Sequence, residues 1–166
     1  MSSFDTANYP VEFQVNGETR SVRVRAADIL LYTLRDKLGL TGSKSGCDNG
    51  DCGTCTILVN GLPIKSCLML TVEAVGKQIV TIEGLMNSRV QDAFVQYQSL
   101  QCGYCTPGFI VNCQGLLNVH PQADEETIRV WLESNICRCT SYEEIHNAVK
   151  DLFAPKNDGK PLSSGS

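Results

Sequence analysis

Gly46-Cys47-Asp48-Asn49-Gly50-Asp51-Cys52-Gly53-Thr54-Cys55-Thr56 puts three cysteines and three glycines into one short loop, and Cys67 follows downstream. The C-x4-C-x2-C spacing with a later fourth cysteine is the plant-type pattern for a two-iron, two-sulfide cluster. Three thiolates on one loop can wrap such a group only if the backbone curls tightly, which Gly46, Gly50 and Gly53 permit. Their amides can then point at the sulfurs and stabilise the negative charge added on reduction.

The flanks of the loop read as sheet and one helix. Val11 to Val15 and Ser21 to Arg25 alternate apolar and polar residues around an Asn16-Gly17 turn, the signature of a hairpin. Asp28 is expected to cap a helix with Ile29, Leu30, Leu34 and Leu38 at helical spacing, ending at Gly39. Thr56 to Val59, an Asn60-Gly61 turn and Ile64 to Cys67 form a second hairpin, and Gln78 to Ile82 a last strand. Strands around one helix make an α+β unit.

After Gly84 the pattern changes. Ser88 to Gln98, Pro107 to Leu117, Glu125 to Glu133 and Tyr142 to Phe153 each fit a short amphipathic helix, with Pro107 in a first turn and Asp124 as a cap. The expected division is 1–84, 85–154 and a mobile tail over 155–166 rich in Pro, Gly, Ser and Lys.

Four more cysteines sit in the helical half, as Cys102-x2-Cys105 before a helix and Cys137-x-Cys139 between two others. Extended residues two apart lie roughly 7 Å apart at Cα and face the same side, so Cys137 and Cys139 can hold one object but would strain as a disulfide. The chain has nine cysteines, an odd number, and lacks the basic start and apolar stretch of an export signal. Metal or redox chemistry is therefore expected before disulfides, in a cytoplasmic protein. Spacing alone leaves structural zinc open, more so for the second set than the first. Cys113, in an apolar helical stretch, reads as core, as do Trp131 and Leu132. His120 and His146 stand outside every motif and read as surface or capping residues, and Arg138 as a solvated cation. A formal charge of -4 argues against a nucleic-acid binder, and no apolar run is long enough to span a membrane. No base, nucleophile or substrate pocket is legible.

Three runs taken together, G-C-D-N-G-D-C-G-T-C-T (46–56), Q-C-G-Y-C-T-P-G (101–108) and N-I-C-R-C-T (135–140), resemble the small iron-sulfur subunit of the molybdenum hydroxylases, the xanthine dehydrogenase, aldehyde oxidoreductase and carbon monoxide dehydrogenase family. The resemblance extends over about residues 10–153. It implies an N-terminal ferredoxin-like β-grasp domain with one [2Fe-2S] cluster on Cys47, Cys52, Cys55 and Cys67, followed by a C-terminal four-helix bundle domain with another on Cys102, Cys105, Cys137 and Cys139. It also implies electron relay from a molybdenum-pterin cofactor on a large subunit to FAD on a medium subunit, in a dimer of heterotrimers. Gln101 and Cys139 match the residues nearest the pterin. Ser141 stands where the family usually has glycine, a residue that can cap the next helix but lacks glycine's freedom at positive φ. The alternative function is a stand-alone two-cluster ferredoxin-type carrier.

Overall fold

A computed structural model describes residues 8–154, so the tail expected over 155–166 lies outside the described residues. Strands β1 (Tyr9–Val15), β2 (Glu18–Val24), β3 (Thr56–Val59), β4 (Leu62–Lys65) and β5 (Gln78–Val80) form one sheet in the order β2-β1-β5-β3-β4. The pairings β1–β2, β3–β4 and β3–β5 are antiparallel, whereas β1 runs parallel to β5. Both hairpin turns have positive φ at each central residue, Asn16 52° and Gly17 83°, Asn60 50° and Gly61 84°, the geometry that Asn-Gly favours. Alternate residues Val11, Phe13 and Val15 point inward and join Val24, Leu30, Leu34, Ile57, Val59 and Ile79 in a first core.

Helix α1 (Leu30–Tyr32) widens at once into a π turn over Thr33–Lys37, where the Leu38 N–H reaches the Thr33 carbonyl at 3.2 Å. Gly39, at φ 71°, ends it and lets the Leu40 N–H bond back to the Leu34 carbonyl at 2.9 Å. Asp28 does not cap this helix: Ile29 holds that position, and no side chain bonds the free amides there. The Asp28 carboxylate instead accepts from Lys37 Nζ at 2.9 Å and from Arg25 Nε at 2.8 Å. Chiefly through the Lys37 bond, its pKa falls to about 2. A carboxyl depressed in the fold stabilises the protein above its unfolded pKa, and this stability disappears as pH falls through the folded value. The native chain is thus expected to exceed Asp28→Asn by about 1 kcal/mol at pH 6 after solvent screening, and the gap in denaturation midpoints should close between about pH 4 and pH 2.

Helices α2 (Arg89–Gln96), α3 (Thr106–Val119), α4 (Glu125–Leu132) and α5 (Tyr142–Phe153) follow. Ser88 and Gln91 form a reciprocal cap on α2, and the Asp124 carboxylate caps α4 from the Thr127 N–H at 2.8 Å. α2 packs on α3 and α5, and α4 on the same two, around Phe94, Phe109, Leu116, Ile128 and Ile145. The fully buried Cys113 belongs to this second core, and burial pushes its thiol pKa up. Trp131 is half-buried against it, donating from Nε1 to the Asn112 carbonyl at 3.0 Å with His120 edge-on at 5.6 Å.

α3 is the helix that also lies against the sheet, on β3 and β4, and it is apolar nearly all round because it is covered on nearly all sides. Its contact face carries Gly108 and Gly115, seven residues apart. A Cβ on Gly108 would lie 2.2 Å from the Gly53 carbonyl, and one on Gly115 2.8 Å from Pro63 Cδ. Among the described residues, no helix is long and apolar enough to cross a membrane.

Candidate functional site

The glycine-rich loop between α1 and β3 brings Cys47, Cys52 and Cys55 beside Cys67, which lies on the short turn after β4. Gly50 at φ 91° and Gly53 at φ 70° take conformations costly for other residues, and Asp48, at φ 57°, is held by Ser45 Oγ and Tyr32 OH, each 2.7 Å from its carboxylate. Gly46 is needed for room: a Cβ there would sit 2.8 Å from Cys52 Sγ. Cys55 and Cys67 are buried in a small apolar patch with Leu31, while Cys47 and Cys52 are half-buried nearer the surface.

The second set is built by two loops at one end of the helices. Cys102 and Cys105 precede and begin α3, and Cys137 and Cys139 lie between α4 and α5. Cys102 and Cys139 are exposed and their sulfurs stand 3.6 Å apart, whereas Cys137 is buried and Cys105 half-buried. Ser141 sits at the start of α5 with φ -69°, ordinary backbone, so glycine's freedom is not required. It offers no oxygen to the helix amides; its hydroxyl bonds the Glu144 carboxylate instead.

In each set the thiols lie close enough to act on one another: Cys102 and Cys139 stand 3.6 Å apart at sulfur, Cys105 feels Cys137 and Cys102, and Cys67 feels Cys55 and Cys47. Four thiols gathered in one place are the donor set of a [2Fe-2S] centre, and also of a structural zinc.

The electrostatics within a set are uneven. Burial pushes Cys47 up, but the amides of Cys52, Asn49 and Asp51 outweigh it and bring the thiol to about 7; the Cys52 N–H stands 3.3 Å from Cys47 Sγ. Cys137 follows the same logic: burial opposes, the Thr140 N–H at 3.2 Å prevails, and its pKa falls. Burial and the bond to Cys55 push Cys67 to about 12, and burial with the bond to Cys137 does the same for Cys105. Amides directed at sulfur favour the thiolate that a metal needs.

The two sets are joined directly. The Ile136 N–H, one residue before Cys137, donates to the Cys52 carbonyl at 3.0 Å, and the buried Asn135 donates from Nδ2 to the Gly53 carbonyl at 3.0 Å. Tyr104, between Cys102 and Cys105, reaches Ser45 by a 2.5 Å bond from its hydroxyl to the carbonyl. Asn135, Tyr104 and Gly108 lie inside the sequence motifs, yet these roles depend on partners far along the chain. Gln101 is exposed and lines a cavity of about 640 Å³ with Leu100, Thr140 and Glu144, beside the exposed thiols. Arg138 is exposed, and His146 lines a separate groove with Ile136 and Tyr142.

Known proteins match the chain over both halves. Residues 13–78 match the family described as 2Fe-2S iron-sulfur cluster binding domain, and residues 81–150 that described as [2Fe-2S] binding domain. The chain is 41% identical over 144 residues to the nicotinate dehydrogenase small FeS subunit of Eubacterium barkeri, covering 84% of this chain and 92% of that one. It is 39% identical to caffeine dehydrogenase subunit gamma of Pseudomonas sp. (strain CBB1), covering 88% and 92%. A chain of the crystal structure of quinoline 2-oxidoreductase from Pseudomonas putida 86 superposes with a TM-score of 0.84 at 39% identity, covering 88% of this chain and 93% of that one.

Proposed function

Since the chain belongs to the iron-sulfur small-subunit family of the molybdenum hydroxylases, and so is the electron-transfer subunit of a multi-subunit oxidoreductase with two [2Fe-2S] clusters, we propose which residues hold them and which way electrons pass. Cys47, Cys52, Cys55 and Cys67 hold one cluster, and Cys102, Cys105, Cys137 and Cys139 the other. When bound, each cluster accepts and releases one electron.

The observation that carries this reading is the gathering of the eight cysteines into two sets of four, joined by the hydrogen bond from the Ile136 N–H to the Cys52 carbonyl at 3.0 Å. Cys102 and Cys139 are exposed, which suits receipt of electrons from a partner's molybdenum-pterin site, with Gln101 beside them to hydrogen-bond the pterin. The backbone between Cys52 and Cys137 then carries them to the first set, and the loop around Cys47 delivers them to FAD on a medium subunit. The mixed sheet with its single helix supports a β-grasp domain over 1–84, and the mutual packing of α2 to α5 a four-helix bundle over 85–154.

The assembly we expect is a dimer of heterotrimers with a large molybdopterin subunit. Gel filtration of the native complex tests this: the chain should elute with molybdenum and flavin in fixed proportion. Elution as a small carrier free of both would favour the stand-alone ferredoxin-type reading.

A further inference from the structure

Lys65 occupies an unusual place for an ammonium. It ends β4, opposite Thr56 of β3, and is half-buried where the sheet meets the turn after α4. Its Nζ donates to the Ser134 carbonyl at 2.6 Å and lies 3.4 Å from Thr56 Oγ1. None of the ion pairs among the described residues includes it, so no carboxylate neutralises it there. The backbone places it beside the first set: it pairs with Thr56, the residue after Cys55, it stands two residues before Cys67, and the Ser66 hydroxyl between them donates to the Cys55 carbonyl at 2.7 Å. Its anchors fix the charge in position: the hydrogen bonds to Ser134 and Thr56 hold the side chain along the seam between sheet and helices, not in solvent where it would be screened.

We propose that Lys65 tunes the potential of the cluster held by Cys47, Cys52, Cys55 and Cys67, its fixed, half-buried positive charge favouring the reduced state. The inference rests on the cluster assignment above. Reduction adds one electron, and one negative charge, to that centre; the electron arrives from the second set and leaves for the flavin, while Lys65 is neither oxidised nor deprotonated. A nearby cation stabilises the more negative form and so makes this centre easier to reduce than its ligands alone would. Lys65 is thus a positioning residue for charge, placed to draw electrons across from the second set.

The test is an EPR-monitored redox titration of the assembled complex, with the first-set signal identified by its change in Cys67→Ser. In Lys65→Met and Lys65→Gln, the reduced-to-oxidised ratio of that centre at a fixed potential should fall about tenfold, equivalent to about 59 mV for a one-electron couple. Lys65→Arg should stay within about twofold of the native ratio, because charge is what matters, and the second signal should move less than about threefold in every variant. An unmoved potential in Lys65→Met or Lys65→Gln, or an equal fall in Lys65→Arg, overturns the proposal. Assembly of Lys65→Arg but of neither uncharged variant would also overturn it, in favour of a purely structural bridge to Ser134. A native complex with no iron-sulfur signal would instead sink the cluster assignment itself.

Discussion

An assembled complex carrying Cys139→Ser is expected to lose at least about 100-fold in turnover with its reducing substrate, a drop beyond that seen when only a supporting contact to a metal ligand is removed. The Cys139 thiol is exposed and stands 3.6 Å from Cys102, so these two sulfurs form the outer pair of the second set. The hydrogen bond that the Cys139 thiol donates to Cys102 raises the Cys139 pKa, and a bound metal would have to reverse that by taking the thiolate. Serine offers a harder oxygen that must also lose its proton, so the outer half of the site is weakened while Cys105 and Cys137, buried behind it, keep their places. Iron content should fall by up to about half, and the first-set EPR signal should persist on chemical reduction. Electrons from the substrate should no longer reach it. A folded, fully assembled variant with normal turnover would show that Cys139 is not the point of receipt.

The second large effect concerns how the two sets are held together. Gly108→Ala would place a Cβ 2.2 Å from the Gly53 carbonyl and 3.0 Å from Thr54 Cα, both backbone atoms of the cysteine loop. No flexible side chain can give way there, so either α3 backs off from the sheet or the loop moves. Overpacking of this kind costs roughly 1–3 kcal/mol, and more when only backbone can shift. For a chain of this length that is roughly 3–10 °C in thermal midpoint. The displacement should also lengthen the Asn135 to Gly53 and Ile136 to Cys52 hydrogen bonds, which bridge the same seam. Slower electron exchange between the two clusters, resolved by rapid-freeze EPR, should accompany the stability loss. An unchanged midpoint with unchanged exchange would mean that the seam tolerates what its distances forbid.

Local chemistry made much of this molecule legible in advance. The Asn-Gly pairs announced both hairpins because few other pairs accept positive φ at two successive residues, and Ser88, Pro107 and Asp124 marked helix starts through the hydrogen bonds that helix amides lack. The cysteine spacing split eight thiols into two sets, and the loops carry them so divided, one set before and after the second hairpin and the other at one end of the helices.

What escaped the sequence depended on distant partners. Asp28 looks like a cap from its neighbours, yet Lys37, nine residues on, claims its carboxylate. Ser141 has the right position for a cap, but Glu144 takes its hydroxyl. Gly46 reads as a turn residue and proves to be a matter of space beside Cys52. The parallel pairing of β1 with β5 and the seating of Gly108 on Gly53 join residues more than fifty positions apart, where no local periodicity speaks. Lys65 carries no motif, and its charge gains meaning only from the Ser134 carbonyl that anchors it and the cysteine loop that Thr56 and Ser66 place beside it.

The most direct measurement is EPR of the purified complex, frozen after anaerobic addition of its reducing substrate, with metal analysis of the same sample. Two distinct [2Fe-2S] signals should grow together in the native complex, and iron should far exceed zinc. A sample containing zinc in place of iron, with no iron-sulfur signal after either substrate or chemical reductant, would contradict the account at its centre.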